Sequence, residues 1–180
     1  IDDTLISEFD YQKSGVKAIE NLLSETLNKD LDGSLVEFLD LGSDDFLADI
    51  CKELGFPDVY KESLLWIYRL HLLDINLVDG VNELISSLKL HKANLAILSD
   101  GRSITQRLKL KSVGLNTIPA FISEEFMSDK FCKKRFIEIQ NRWPNKKYAY
   151  IGDNPKKDFF VPNDLGWLSI GADWVKDKVH

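Results

Sequence analysis

The sequence is poor in the residues that mark several classes of protein. Its 180 residues include only 2 cysteines, 5 prolines and 10 glycines, which excludes a collagen-like or low-complexity chain. Cys51 and Cys132 lie far apart, with no other Cys or His close enough to suggest a zinc site. Neither a disulfide framework nor a structural metal is therefore indicated. A reducing compartment suits this composition best, and we expect a cytoplasmic protein.

Long apolar runs and an excess of basic residues are missing as well. No stretch approaches the roughly 18 uninterrupted apolar residues of a membrane-spanning helix, and the first residues do not form a basic region followed by an apolar run. The 23 Lys and Arg residues against 29 Asp and Glu residues give a formal charge of -6, which argues against general nucleic-acid binding. We expect neither a membrane nor a nucleic acid as a partner.

The apolar residues that are present, 44% of the chain, suffice for one good core plus a small insertion. From Tyr11 to about His71 they recur at helical spacing. One helical face would carry Val16, Ile19, Leu23 and Leu27. Turn signals at 30–34, 42–44 and 55–57 divide this part of the chain. We predict an all-helical segment over about residues 6–78.

From Asp79 onwards the pattern changes to short apolar strands that alternate with helices. Asp79 is the predicted N-cap of the first helix, and Gly114 is well placed to end a helix over 103–113. The predicted strands cover 93–98, 120–122, 148–151 and about 167–170, and a further helix covers 131–141. This alternation is typical of a parallel sheet with helices on its faces. We predict an α/β domain, residues 1–5 and 79–180, with the helical segment inserted near its start.

The carboxyl ends of parallel strands are where functional groups gather. Ser99-Asp100-Gly101-Arg102 follows the predicted strand 93–98. Its hydroxyl, its backbone N–H groups and the helix N-terminus that follows suit an anion such as phosphate. The same four residues also suit an ordinary turn.

A later strand end carries two carboxylates, in Gly152-Asp153-Asn154-Pro155-Lys156-Lys157-Asp158. Asp153 and Asp158 suit Mg²⁺, which prefers oxygen ligands, although Gly-Asp and Asn-Pro are also turn dipeptides. Between the two strand ends, Lys130 lies in a polar loop. It is either a phosphate ligand or a solvated surface residue. The nearby Lys133, Lys134 and Arg135 predict a charged helix face.

The joint order of these residues resembles the haloacid dehalogenase (HAD) superfamily. Residues 1–5 resemble the end of its first motif, DxDxT, with Asp2 as the second Asp and Thr4 as the Thr. Ser99 matches the second motif and Lys130 the third, and the fourth is matched by Asp153 with Asp158. Residues 6–78 fall where members with a helical, C1-type cap insert it. The resemblance implies a Rossmann-like, doubly wound parallel sheet with an inserted all-helical cap domain.

The resemblance also implies an activity, the Mg²⁺-dependent hydrolysis of a small phosphorylated metabolite, such as a sugar phosphate or a nucleotide, through an aspartyl-phosphate. Asp2 would act as acid and base, and its backbone carbonyl would bind the metal. Asp153 would be a direct metal ligand, and Asp158 would bind it through water or orient Lys130. The implied catalytic residues are Asp2, Ser99 and Lys130. The implied substrate-binding residues are Thr4, Ser99, Asp100, Gly101, Arg102 and Lys130, with Arg102 a candidate for a second anionic group or a surface role.

Two other functions stay open at the level of sequence, and a third is disfavoured. A halide leaving group needs no proton, so a carboxylic acid at Asp2 disfavours dehalogenation. Phosphomutase-type phosphoryl transfer uses the same acid and is the alternative within the superfamily. A non-catalytic accessory or binding protein is the alternative outside enzymes.

The first Asp of the first motif, the nucleophile of the superfamily, would be the residue immediately before Ile1. The strand that leads into this aspartate would also precede Ile1. We therefore expect the sequence to be a fragment of a longer chain, with an aspartate directly upstream of Ile1.

Overall fold

The structure is a computed structural model that describes residues 1–28, 31, 33–40, 43 and 45–175. The turns predicted at 30–34 and 42–44 lie partly outside these residues, as does the end of the predicted α/β domain, 176–180. The chain divides into two compact units. One is Phe9–Asp74, and the other combines residues 1–8 with the described residues from 75 onwards.

The described part of the unit Phe9–Asp74 is helical. Its elements are α1 (Glu8–Leu27, entering from the other unit), a 3-10 turn (Ser34–Val36), α2 (Glu37–Asp40), α3 (Phe46–Glu53) and α4 (Tyr60–Leu70). Val16, Ile19 and Leu23 are buried at helical spacing as predicted, and they pack with α3 and α4 residues in one apolar core. Burial of each such side chain stabilises the unit by about 1.5–3 kcal/mol. Leu27 ends α1 beyond this core and is exposed.

The other unit alternates helices and strands. Its elements are α5 (Val81–Leu90), β1 (Ile97–Ser99), α6 (Ser103–Ser112), β2 (Ala120–Ile122), α7 (Ser123–Phe126), α8 (Lys134–Arg142), β3 (Ala149–Gly152), α9 (Pro155–Asp158), α10 (Phe160–Asp164) and β4 (Leu168–Gly171). The strand predicted over 120–122 is confirmed as β2. The strand predicted over 93–98 is shorter and lies later, as β1.

Two predicted helix starts are wrong for local reasons. The N-cap of α5 is Gly80 rather than Asp79, because Gly80 takes a left-handed conformation at φ 81° that favours glycine. Helix α8 begins at Lys134 rather than at 131, because the carboxylate of Asp129 accepts the backbone N–H groups of Phe131 and Cys132. Such bonds compete with helix formation and hold these residues in a turn.

The strands form two short parallel sheets. Strand β1 pairs with β2, with Ser99 opposite Ile122, and β3 pairs with β4, with Gly152 opposite Gly171. Within the described residues these two sheets are not hydrogen-bonded to each other, so the single doubly wound sheet and the role of the helical unit as a cap stay predictions. An apolar core, formed by Leu98, Phe121, Phe136, Ile139, Val161 and Trp167, joins residues of β1 and β2 to α8 and α10.

Among the residues that the structure describes, no helix combines the length and the apolar character needed to cross a bilayer.

Candidate active site

The carboxyl ends of β1 and β3 open onto one cleft of about 260 Å³. The cleft is lined by Ile1, Asp2, Glu8, Ser99, Asp100, Lys130, Asp153, Asn154, Lys157 and Asp158. Six of these are residues that the sequence predicts for the site: Asp2, Ser99, Asp100, Lys130, Asp153 and Asp158. Because they come from four separate stretches of the chain, the fold brings them together.

Lys130 is held in the cleft by Asp158. The ammonium group of Lys130 donates to Asp158 Oδ1 at 2.5 Å, and Asp158 Oδ2 accepts the backbone N–H of Asn154 at 3.3 Å. Burial disfavours the charged ammonium, but Tyr150 and Asp158 outweigh it and raise the pKa of Lys130 above its usual value. Lys130 is therefore a fixed cation at neutral pH.

The position of Asp158 depends on a glycine at the end of β3. A Cβ atom added at Gly152 would lie 2.9 Å from the Cβ of Asp158, closer than two carbon atoms can pack. Asp158 itself is only 1% exposed, so it has little room to move away. The Gly-Asp turn of the sequence is therefore needed for the close approach of Asp158 to β3.

Asp2 is paired with a buried lysine that the sequence did not indicate. The ammonium of Lys109, on α6, donates to Asp2 Oδ1 at 2.6 Å, and Lys109 is 3% exposed. Burial alone would raise the pKa of Asp2, but the charge and hydrogen bond of Lys109, together with the charge of the Ile1 amino group and a hydrogen bond from Gln106, outweigh burial and hold that pKa below its usual value. The carboxylate is therefore ionised at neutral pH.

Thr4 supports Asp153 and does not itself line the cleft. Its hydroxyl donates to Asp153 Oδ1 at 3.0 Å, and its backbone carbonyl accepts the indole N–H of Trp174 at 3.0 Å. The first bond engages one oxygen of Asp153, and the second holds the backbone of Thr4. The predicted substrate contact of Thr4 stays a prediction.

Gly101 and Arg102 do not line the cleft either. The backbone N–H of Gly101 donates to Ser123 Oγ at 2.9 Å, and Arg102 forms an exposed ion pair with Glu124 at 3.5 Å. Glu124 also accepts the backbone N–H of Ser103 at 2.7 Å, at the start of α6. Of the four residues after β1, the structure brings Ser99 and Asp100 to the cleft.

The predicted metal ligands can be compared with the oxygen ligands that Mg²⁺ prefers. Among the described residues no group of three or more His, Cys, Asp or Glu side chains is arranged to hold a metal ion. Asp158 is engaged with Lys130 and Asn154, and one carboxylate oxygen of Asp2 is engaged with Lys109. Asp153 and the backbone carbonyl of Asp2 are hard oxygen donors, and Mg²⁺ commonly binds one or two carboxylates and completes its shell with water. The donor types therefore fit Mg²⁺.

Sequence reasoning missed Lys109, Lys157, Glu8 and Arg135. Arg135 does not belong to an exposed charged face, because it is fully buried. A signal was present, since Arg135 and Ile139 are four residues apart on α8 and share the face that also buries Phe136. Nothing in the sequence pattern identifies Lys109 as the partner of Asp2, 107 residues away.

Neither a scan against protein-family models nor a search among curated proteins found a match. Solved structures do match along nearly the whole chain. YfnB from Bacillus subtilis, a proposed HAD-hydrolase solved bound to magnesium, has a TM-score of 0.60 and 22% identity, covering 94% of this chain and 84% of that chain. A proposed β-phosphoglucomutase from Thermotoga maritima has a TM-score of 0.66 and 15% identity, covering 98% and 85%.

A third similar structure is a predicted phosphoglycolate phosphatase from Haemophilus somnus 129PT. Its TM-score is 0.61 and its identity 17%, with 95% of this chain and 81% of that chain covered. At such identities the likeness concerns the fold, and function has to be argued from the site. The chain has the fold of the haloacid dehalogenase superfamily.

Proposed function

We propose that the protein is a Mg²⁺-dependent phosphatase that hydrolyses a small phosphate monoester through an aspartyl-phosphate. The observation that carries this proposal is the cleft that holds Asp2, Ser99, Lys130, Asp153 and Asp158 together. Its volume of about 260 Å³ suits a small phosphorylated metabolite, such as a sugar phosphate or a nucleotide. The fold shared with phosphatases and hydrolases supports the same reaction class.

The residues of the cleft match the needs of phosphoryl transfer, which depends mainly on position and charge. By the resemblance, an aspartate carboxylate would attack the phosphorus. Lys130, charged and fixed by Asp158, would neutralise a phosphate oxygen. The hydroxyl of Ser99 donates to the backbone carbonyl of Asp100 at 3.3 Å in this structure, and it would turn to donate to another phosphate oxygen. Mg²⁺, when bound at Asp153 and the carbonyl of Asp2, would offset the repulsion between phosphate and carboxylates.

Asp2 would supply acid and base catalysis. Its pKa, held low by Lys109, favours the ionised form that accepts a proton from the attacking water. Protonation of the leaving oxygen needs the acid form. An arriving phosphate favours that form, because a second negative charge close by raises the pKa of a carboxyl group. The proposal therefore gives Asp2 both roles, at different stages of one reaction.

Phosphomutase-type transfer is the second candidate, and the observation in its favour is the similarity to the proposed β-phosphoglucomutase. The two activities differ in whether water or a sugar hydroxyl takes the phosphoryl group. Incubation with a sugar phosphate separates them, because a phosphatase releases inorganic phosphate and a mutase produces an isomer. A protein that does neither, and binds no Mg²⁺, would be the non-catalytic accessory protein.

Two substitutions test the roles assigned to the carboxylates. Asp153→Asn should weaken Mg²⁺ binding and nearly abolish turnover, because a neutral amide is a poor ligand for a hard cation. Asp2→Asn keeps the backbone carbonyl and should leave Mg²⁺ binding intact, but slow turnover roughly 10²–10⁴-fold through loss of acid and base catalysis. Calorimetric Mg²⁺ titration and kcat for an aryl phosphate measure the two effects. Wild-type rates in either variant would refute the role assigned to that residue.

A further inference from the structure

We propose that Arg135 is a positioning residue, which acts through Asp100 to hold Lys130 in the cleft. The geometric part of this inference concerns the described structure alone. Its catalytic part rests on the proposed phosphatase function.

Arg135 is anchored at the ends of two strands. It lies on α8 and is fully buried. Its Nη1 atom donates to the backbone carbonyl of Ser99 at 2.8 Å and to that of Phe121 at 3.1 Å. Ser99 ends β1, and Phe121 lies within β2. The guanidinium therefore joins both strands just below the cleft.

The other end of the guanidinium holds Asp100. Arg135 Nη2 donates to Asp100 Oδ1 at 2.5 Å. A guanidinium has a rigid, planar set of five donors, so one side chain can bond two carbonyls and a carboxylate together. Because Arg135 is buried, Asp100 is also the counter-charge that a buried cation requires.

Asp100 in turn holds the backbone of Lys130. Asp100 Oδ2 accepts the backbone N–H of Lys130 at 3.2 Å, and Lys157 lies 3.6 Å from the same oxygen. Lys130 is in the loop between α7 and α8 and belongs to neither helix. Its backbone is thus held by Asp100 while its ammonium group is held by Asp158.

This arrangement gives the carboxylate of Asp100 a role that the sequence did not indicate. The predicted phosphate contact of Asp100 is through its backbone N–H and stays a prediction, whereas its carboxylate is engaged with Arg135 and with Lys130. A carboxylate is also a poor ligand for a phosphate, since the two repel each other. The geometry assigns the side chain of Asp100 to the placement of Lys130.

Amide hydrogen exchange tests the geometric part without any activity. The variants are Asp100→Ala and Arg135→Lys. The matched control is Arg142→Lys, the same chemical change on the same helix at an exposed residue that stacks on Trp143. NMR of the full-length protein measures the exchange rates of the Lys130 amide and of the Leu110 amide, which lies in α6.

The Lys130 amide should exchange about tenfold faster in both variants, because its acceptor is lost or displaced. The Leu110 amide in both variants, and the Lys130 amide in Arg142→Lys, should keep their wild-type rates. If Arg135→Lys does not fold, Arg135→Gln replaces it, because Asp100→Ala alone tests the contact of Asp100 with Lys130 and not the role of Arg135. An unchanged Lys130 rate in Asp100→Ala would overturn the inference.

A double-mutant cycle tests the catalytic part. If Asp100 acts through Lys130, then Asp100→Ala should lower kcat/KM for an aryl phosphate in the wild type but have little further effect in Lys130→Ala. Additive losses would overturn a role through Lys130. An inactive wild-type protein would instead refute the proposed function, and the exchange rates would still decide the geometric part.

Discussion

The buried charges of the candidate site occur in pairs. Lys130 pairs with Asp158, Lys109 with Asp2, and Arg135 with Asp100. A buried charge without a partner is strongly unfavourable, so each pair constrains both of its members. The same pairs hold the functional groups of the cleft in place before any substrate binds.

The pair of Lys130 and Asp158 should contribute much more stability than an exposed pair. Asp158→Ala leaves the largely buried ammonium of Lys130 without its partner and should lower the free energy of unfolding by about 3–5 kcal/mol. Asp164→Ala is the control, because Asp164 pairs with Lys133 and both are about half exposed. The control should lose less than about 1 kcal/mol. Urea unfolding measures both, and equal losses would contradict the structure.

The pair of Asp2 and Lys109 should make stability depend on pH in the acid range. The pKa of Asp2 is lower in the folded protein than its usual value, so its stabilising effect is complete above that usual value. It is lost as the pH falls through the lowered pKa, below about pH 4. The difference in unfolding free energy between wild type and Asp2→Asn should therefore be constant from pH 7 to 5 and shrink towards pH 3. Urea unfolding at each pH measures it, and a difference that does not change with pH would contradict the pairing.

At the scale of secondary structure, prediction succeeds where a local pattern decides the conformation. Strand β2 is an apolar triplet, and Gly114, at φ 73°, follows the end of α6 as predicted. The start of α8 could not be predicted, because it depends on which backbone groups the carboxylate of Asp129 accepts. Helix periodicity contains no information about that choice.

The same distinction applies to the site. Ser99 and Asp153 were predictable, because each directly follows an apolar strand. The partners of Arg135 and Lys109 were not, because they lie 35 and 107 residues away in the sequence. Side chains that support a site from a distant element become visible only when the chain is folded.

The turn after β3 offers a test at this scale. Gly152→Ala would force a methyl group against Asp158 and should move that carboxylate away from Lys130. Gly171→Ala is the control, because Gly171 is opposite Gly152 in β4 and an added Cβ there meets nothing within 4 Å. We expect Gly152→Ala to lose at least about 1–3 kcal/mol of stability together with most of its phosphatase activity. Thermal unfolding and kcat compare the two, and a fully active Gly152→Ala variant would contradict the close contact.

At the scale of the whole molecule, the distribution of charge supports the proposed cofactor. The net charge is -6, and part of the acidic excess lines one cleft. The acidic residues there are Asp2, Glu8, Asp100, Asp153 and Asp158, against Lys130 and Lys157 in the lining. Lys109 and Arg135 offset the charges of Asp2 and Asp100 from outside the lining. The small negative excess that is left would be offset by a cation such as the proposed Mg²⁺.

The central claim is tested most directly by the hydrolysis of an aryl phosphate by the full-length protein, with and without Mg²⁺. We expect phosphate release with Mg²⁺, loss of release when a chelator removes the metal, and recovery when Mg²⁺ is restored. Lys130→Ala should remain nearly inactive under all three conditions, because the cation that Asp158 fixes in the cleft is gone. No hydrolysis by the wild-type protein, together with no binding of Mg²⁺, would contradict the account.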